Sequence, residues 1–166
     1  TWVPDPAGEN EMIRVLSDIG YPVVDISTLM ERESPSWWAN LFHGPAEGRE
    51  GTEARLTIGG RSAHEIMQNK RIAKVREKAD IFIIGEAFSE HAGETHGFQS
   101  CRARVEVKAI DTRTESVAAA LSKHAAGADI AELIAGKKAL HTAGGQTGLE
   151  LARKLANHFA VASKEE

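Results

Sequence analysis

Ile81-Phe82-Ile83-Ile84-Gly85-Glu86-Ala87-Phe88 is the stretch on which the reading of this chain turns. A near-continuous apolar run of this length is what a strand buried on both faces requires. The polar residues from Ser89 to Gly97 read as a loop carrying His91 and His96. From Phe98 to Ile110 the pattern alternates. Cys101, Ala103, Val105, Val107 and Ala109 point one way, and Arg102, Arg104, Glu106 and Lys108 the other, so this strand has one wet face. Asp111-Thr112-Arg113-Thr114 is a turn, and Glu115 to Ala125 returns as an alanine-rich strand. The middle of the chain is therefore a long β-hairpin beside a buried strand.

Helices flank this core in the sequence. Residues 1–8, with Pro4 and Pro6, form an extended lead-in. Met12, Ile13, Leu16 and Ile19 recur at helical spacing before Gly20, which predicts an amphipathic helix over 9–19. Tyr21 to Ile26 reads as a short buried strand, Ser27 to Glu33 as a short helix, and Ser34-Pro35-Ser36 as the start of another turn carrying Trp37, Trp38 and Phe42. Residues 43–53, rich in Gly and Glu, form a flexible loop, Ala54 to Ile58 a small strand or apolar anchor. Ser62 and Glu65 fit a capping box for a helix running to Lys78. After Asp129, with Glu132 completing a second capping box, Ile130, Leu133, Ile134 and Leu140 fall at helical spacing, followed by Leu149, Leu151, Leu155 and Phe159. Gly144 and Gly145 lie in mid-run and mark a break or a close contact. Residues 163–166 are a polar tail. The expected fold is α/β of the α+β kind, a single domain over 1–166, with a mixed sheet of about four strands packed by helices.

Composition narrows the function by exclusion. A formal charge of −4 and a pI near 6.0, without lysine or arginine blocks, argue against a nucleic-acid binder. One cysteine excludes an internal disulfide and any multi-cysteine zinc site. On the alternating strand Cys101 faces inward, where a thiol packs as an inert apolar group. No apolar run approaches the roughly 20 residues of a membrane helix. The chain starts at Thr1 without an initiator methionine. It reads as a mature or trimmed form whose export signal preceded it.

Motifs that could carry chemistry are weak. His91, Glu94 and His96, with Glu90, could bind a divalent metal, but their spacing matches no ligand motif and a solvated polar loop accounts for them. Gly59-Gly60-Arg61-Ser62 and Gly144-Gly145-Gln146-Thr147-Gly148 could each offer backbone amides to a phosphate. A turn and an N-cap suffice for the first and no strong strand feeds the second, so the structural reading is preferred for both. No catalytic constellation and no cofactor site is expected. Trp37, Trp38 and Phe42 stand apart: three of nine aromatics lie within six residues. Two adjacent tryptophans on a short helix cannot both face inward, so this cluster is the candidate protein-interaction patch.

Several stretches resemble a family. "EMIRVLSDIGYPVVDISTL" (Glu11 to Leu29) is similar to the helix–strand opening of bacterial envelope proteins related to CsgG, the curli secretion lipoprotein, and to the N-terminal domain of TolB. "KADIFIIGEAFSE" (Lys78 to Glu90), "SCRARVEVKAIDTRTESV" (Ser100 to Val117) and "AGKKALHTAGGQTGLELARKL" (Ala135 to Leu155) resemble the following strand, hairpin and closing helix. Glu115 stands where that family has a turn glycine, and no strand precedes the first helix. The resemblance implies a periplasmic or outer-membrane-associated accessory protein, not an enzyme, that binds envelope protein partners or copies of itself in secretion, surface-appendage or cell-wall assembly. Membrane contact is expected only through a lipid anchor preceding Thr1. The competing reading is a small-ligand or nucleotide-binding domain built on a glycine-rich turn.

Overall fold

A computed structural model of the chain describes residues 6–24 and 75–164. They form an α+β fold, in the order α1 (Ala7–Ile19), β1 (Ile81–Thr95), β2 (Phe98–Asp111), β3 (Ser116–Asp129) and α2 (Glu132–Ala162). The strands make one antiparallel sheet of order β1-β2-β3. Two compact units can be distinguished. The described residues of Thr1–Val23, Gly85–Val107 and Ala119–Glu166 form the first, and those of Val24–Ile84 and Lys108–Ala118 the second.

In the first unit α1 follows its amphipathic pattern, burying Met12, Val15 and Leu16. It ends in a Schellman motif. Gly20, at φ 109, donates its N–H to Ser17 O, and the Tyr21 N–H reaches Leu16 O. The strand expected from Tyr21 is absent at Tyr21–Val24, because this closure and a bond from the Tyr21 hydroxyl to Ala152 O (3.2 Å) bind the chain to helices. Val23 and Val24 are accordingly exposed. The sheet has three strands among the described residues where about four were expected. Ala54 to Ile58 lies outside the described residues, as does the stretch 43–53.

The loop expected from Ser89 to Gly97 is strand as far as Thr95, and His91 lies within it. Only His96 and Gly97 turn, with φ of 51 and 79, the paired positive values of a type I′ hairpin. Such a turn would set Thr95 opposite Phe98. Farther along, Phe88 shares a face with Arg104, an arrangement one residue out of step with that pairing. Gly93, at φ 154, lies between the two registers, where one residue of β1 is left over.

Helix α2 runs unbroken through Gly144 and Gly145. Its N-cap is Ala131 with no side-chain cap bond, so the expected capping box does not form. Asp129 instead holds Lys138 at 2.5 Å, and the Glu132 carboxylate lies 3.7 Å from His91 Nδ1. The mid-run glycines are explained by contact rather than by a break. A Cβ on Gly144 would lie 2.8 Å from Gly8 Cα, inside any real Cβ contact. One on Gly148 would sit 3.0 Å from Val15 Cβ. The α1–α2 crossing is thus backbone against backbone. Gly127 on β3 plays the same part beneath α2, with 2.7 Å between its would-be Cβ and Ala139 N.

In the second unit, Asp111 Oδ1 accepts the N–H groups of Arg113 (2.9 Å) and Thr114 (3.1 Å), closing the β2–β3 turn. Thr112 ties that turn to β1's approach, donating its hydroxyl to Ala79 O at 2.8 Å and its N–H to Asp80 O at 2.9 Å. Glu115 adopts φ 56, the left-handed conformation a glycine would take without strain, and its carboxylate pairs with Arg76.

The crossing makes two adjacent glycines unequal. Gly144→Ala is expected to lose about 3 kcal/mol in urea unfolding through overpacking. Gly145→Ala meets only ordinary contact with Glu11 at 3.5 Å, and should gain about 0.5–1 kcal/mol from helix propensity.

Candidate interaction surface

The alternation of β2 separates two sheet faces. Cys101, Ala103, Val105 and Val107 are buried towards the helices, as the sequence pattern requires. The opposite face of the first unit carries paired charges. Arg102 lies 3.4 Å from Glu90, Arg104 Nε lies 3.3 Å from Glu106, and the Arg104 guanidinium sits 4.6 Å over the Phe88 ring. Ser122 adds a bond to Glu106 at 3.4 Å. The exposed Arg102–Glu90 pair is worth at most about 1 kcal/mol, whereas Arg104 and Glu106 are half-buried. The pairs keep the face solvated and its charges matched.

Apolar exposure is concentrated elsewhere. Ile130, Leu133 and Ile134, read from the sequence as core positions, are 74%, 66% and 45% exposed, and of that set only Leu140 is buried. Along the same helix Ala135, Ala139, Ala143, Thr147 and Leu151 are fully buried. Small side chains let α2 approach Gly127 and Gly8 closely, and the large apolar residues of its first turns are left outside. Periodicity registers the hydrophobicity of each position and cannot register how near the backbones come. In the first turns the sequence signal for the buried face was the alanine and glycine spacing, while farther along Leu140, Leu151 and Leu155 are buried as their spacing implies. Leu149, at 60%, continues the exposed set.

Three buried polar groups have distinct surroundings. Glu11, on α1, receives bonds from Arg14 Nε (2.8 Å) and Nη2 (2.6 Å), with His141 Nε2 from α2 at 3.0 Å. The Arg14 bonds are the main cause holding its carboxyl below the usual range. Thr147 satisfies its hydroxyl on Ala143 O at 2.8 Å. In the second unit Lys108 is buried on the same side of the sheet as Phe82, Ile84 and Ile110, and burial pushes its amine down. The alternation of β2 predicts Lys108 on the wet face. That face stops at Glu106, beyond which every residue to Asp111 is buried.

The other candidates resolve as follows. Cys101 is buried with its thiol 3.5 Å from Glu132 O, and burial raises its pKa. His91 faces Glu132 from the strand, while His96 occupies the hairpin turn, and no group of three or more metal-binding side chains occurs among the described residues. The Gly144–Gly148 run is helix interior, not a phosphate-cradling turn. Trp37, Trp38 and Phe42, and Gly59-Gly60, lie outside the described residues. No helix among the described residues is long and apolar enough to cross a membrane. No family model, curated protein or solved structure matches this chain.

Two pH dependences follow. Because the Glu11 carboxyl is lowered from 4.5 in the folded state, its contribution is complete above pH 4.5 and is lost as pH falls through the folded value. Glu11→Gln should therefore lower stability at neutral pH and flatten the acid arm of the unfolding curve. Lys108 is lowered from 10.5, so folding gains stability as pH rises towards 10.5. Lys108→Met should remove that alkaline rise and add about 1–2 kcal/mol at neutral pH, measured by urea melts from pH 7 upward.

Proposed function

We propose that this chain is a non-enzymatic accessory protein of the bacterial cell envelope that works by binding other proteins or copies of itself. The observation that carries the binding part is the exposed apolar run Ile130, Leu133 and Ile134 at the head of α2. Three large apolar residues within five positions are costly to leave in water, and contiguous apolar surface of this kind marks association sites. Leu133 and Ile134 stand on a helix held by backbone-close packing, with Ile130 on the link just before it, so a partner meets a preformed surface and little ordering entropy is lost on binding. The envelope setting rests on the resemblance of Glu11–Leu29, Lys78–Glu90, Ser100–Val117 and Ala135–Leu155 to the CsgG and TolB N-terminal-domain proteins. The helix–sheet–hairpin–helix order is in keeping with that resemblance. In this reading the charged sheet face stays solvated and the α2 end makes the contact.

Site-specific photo-crosslinking in the source cells tests both parts. A photoreactive residue at Leu133 is expected to give discrete protein adducts in the envelope fraction, and the same residue at exposed Lys154 none. Recovery of the chain in the cytosolic fraction, or adducts equal at the two positions, would overturn the proposal.

A further inference from the structure

The binding reading leaves open what sits against the first unit. Strand β3 is an edge of the sheet among the described residues, hydrogen-bonded to β2 alone. Its fourteen residues, Ser116–Asp129, contain no proline and no positive-φ residue, whereas the other edge strand, β1, carries Gly93 at φ 154. Proline, bulges and inward charges are the usual means of blocking edge pairing, and of these β3 has only two charges on its helix-facing side, Lys123 and Asp129. Exposed Ala126 and Ala128 alternate with half-buried Ala125 and Gly127, so no large side chain stands along this end of the edge.

We infer that β3 pairs antiparallel with β3 of a second copy of this chain, with the two-fold axis at Ala126. The charges select that register. Apart from His124, the charged residues on the strand are Lys123 and Asp129, an opposite-sign pair on one face of the sheet. An axis at Ala126 sets Lys123 of each copy directly opposite Asp129 of the other, twice over. An axis at Lys123 would instead set like charges together. Asp129 already holds Lys138 at 2.5 Å and is drawn below the usual carboxylate range by it, so the incoming lysine meets an ionised carboxylate.

The helix layer fits the same axis. Lys138, which reaches over the edge to Ala128 O at 3.5 Å, and Gly136, which contacts Ser89 on β1, mark opposite flanks of α2. Ile134 and Leu149 stand on the Lys138 flank, 45% and 60% exposed. Extending the sheet through β3 brings this flank of α2 towards its symmetry mate and takes those two side chains out of water. The inference rests on the binding reading and names its partner as a second copy.

Sedimentation of the full chain, with a cysteine-crosslinking series, tests it. The wild type is expected to run as a dimer at micromolar concentration. Ala126→Cys should form an interchain disulfide in high yield under mild oxidation and Ala120→Cys should not; native Cys101 is buried and silent. Lys123→Glu should shift the chain to monomer with unchanged circular dichroism, and Lys123→Glu with Asp129→Lys should restore the dimer. If Lys123→Glu misfolds, Ile134→Lys with Leu149→Lys supplies the same readout. A monomeric wild type, or equal crosslinking at 120 and 126, overturns the dimer. Adducts at Leu133 to a different protein would still stand in that case, so the two readings fail separately.

Discussion

The approach of Gly144 to Gly8 fixes more of this structure than any other contact. It brings two helix backbones together with no side chain between them, and it sets where everything else on α1 falls. With that spacing, Glu11 meets His141 across the crossing, Val15 lies against Gly148, and the Tyr21 hydroxyl reaches Ala152 O. Gly8 in turn rests against Ala87 and Val105, so the helix pair and the first unit's part of the sheet share one contact point. A larger residue at either glycine would separate all of these at once, because they lie along a single seam.

The same closeness explains which parts of the fold can be read from the sequence. Where the pattern is plain, spacing leads to the structure: Met12 and Leu16 of α1, though not exposed Ile19, the alternating β2 as far as Glu106, and the inward Cys101. Where burial is achieved by small residues, hydrophobic spacing points the wrong way. At the head of α2 it selects Leu133 and Ile134, with Ile130 on the link before it, all exposed, over Ala135, Ala139 and Ala143, which are fully buried. The candidate surface was therefore in view as residues but assigned to the opposite side of the helix. Trp37, Trp38 and Phe42, the sequence's own candidate, stand outside the described residues.

Turn chemistry accounts for the other differences. A polar stretch such as Ser89 to Thr95 carries no local mark that it continues a strand, since its pairing with β2 is a property of the sheet. His96-Gly97 supplies the two left-handed residues and so determines where the hairpin ends. At the second turn Glu115 holds a conformation in which glycine would be at ease. Its ion pair with Arg76 is the local compensation, placed by residues that sequence spacing alone does not bring together.

The Tyr21–Ala152 bond joins residues 131 positions apart, and the whole α1–α2 seam spans comparable separations. The two hairpins, by contrast, close through turns of a few residues, and α2 follows β3 directly. Loop-closure entropy orders these events: the strands and α2 can assemble from local contacts, while α1 must return across the length of the chain before its glycine finds its partner. Closing the seam at Gly144 therefore carries more loop-closure entropy than either hairpin, and the glycine that permits the tightest packing lies on the contact that spans most of the chain.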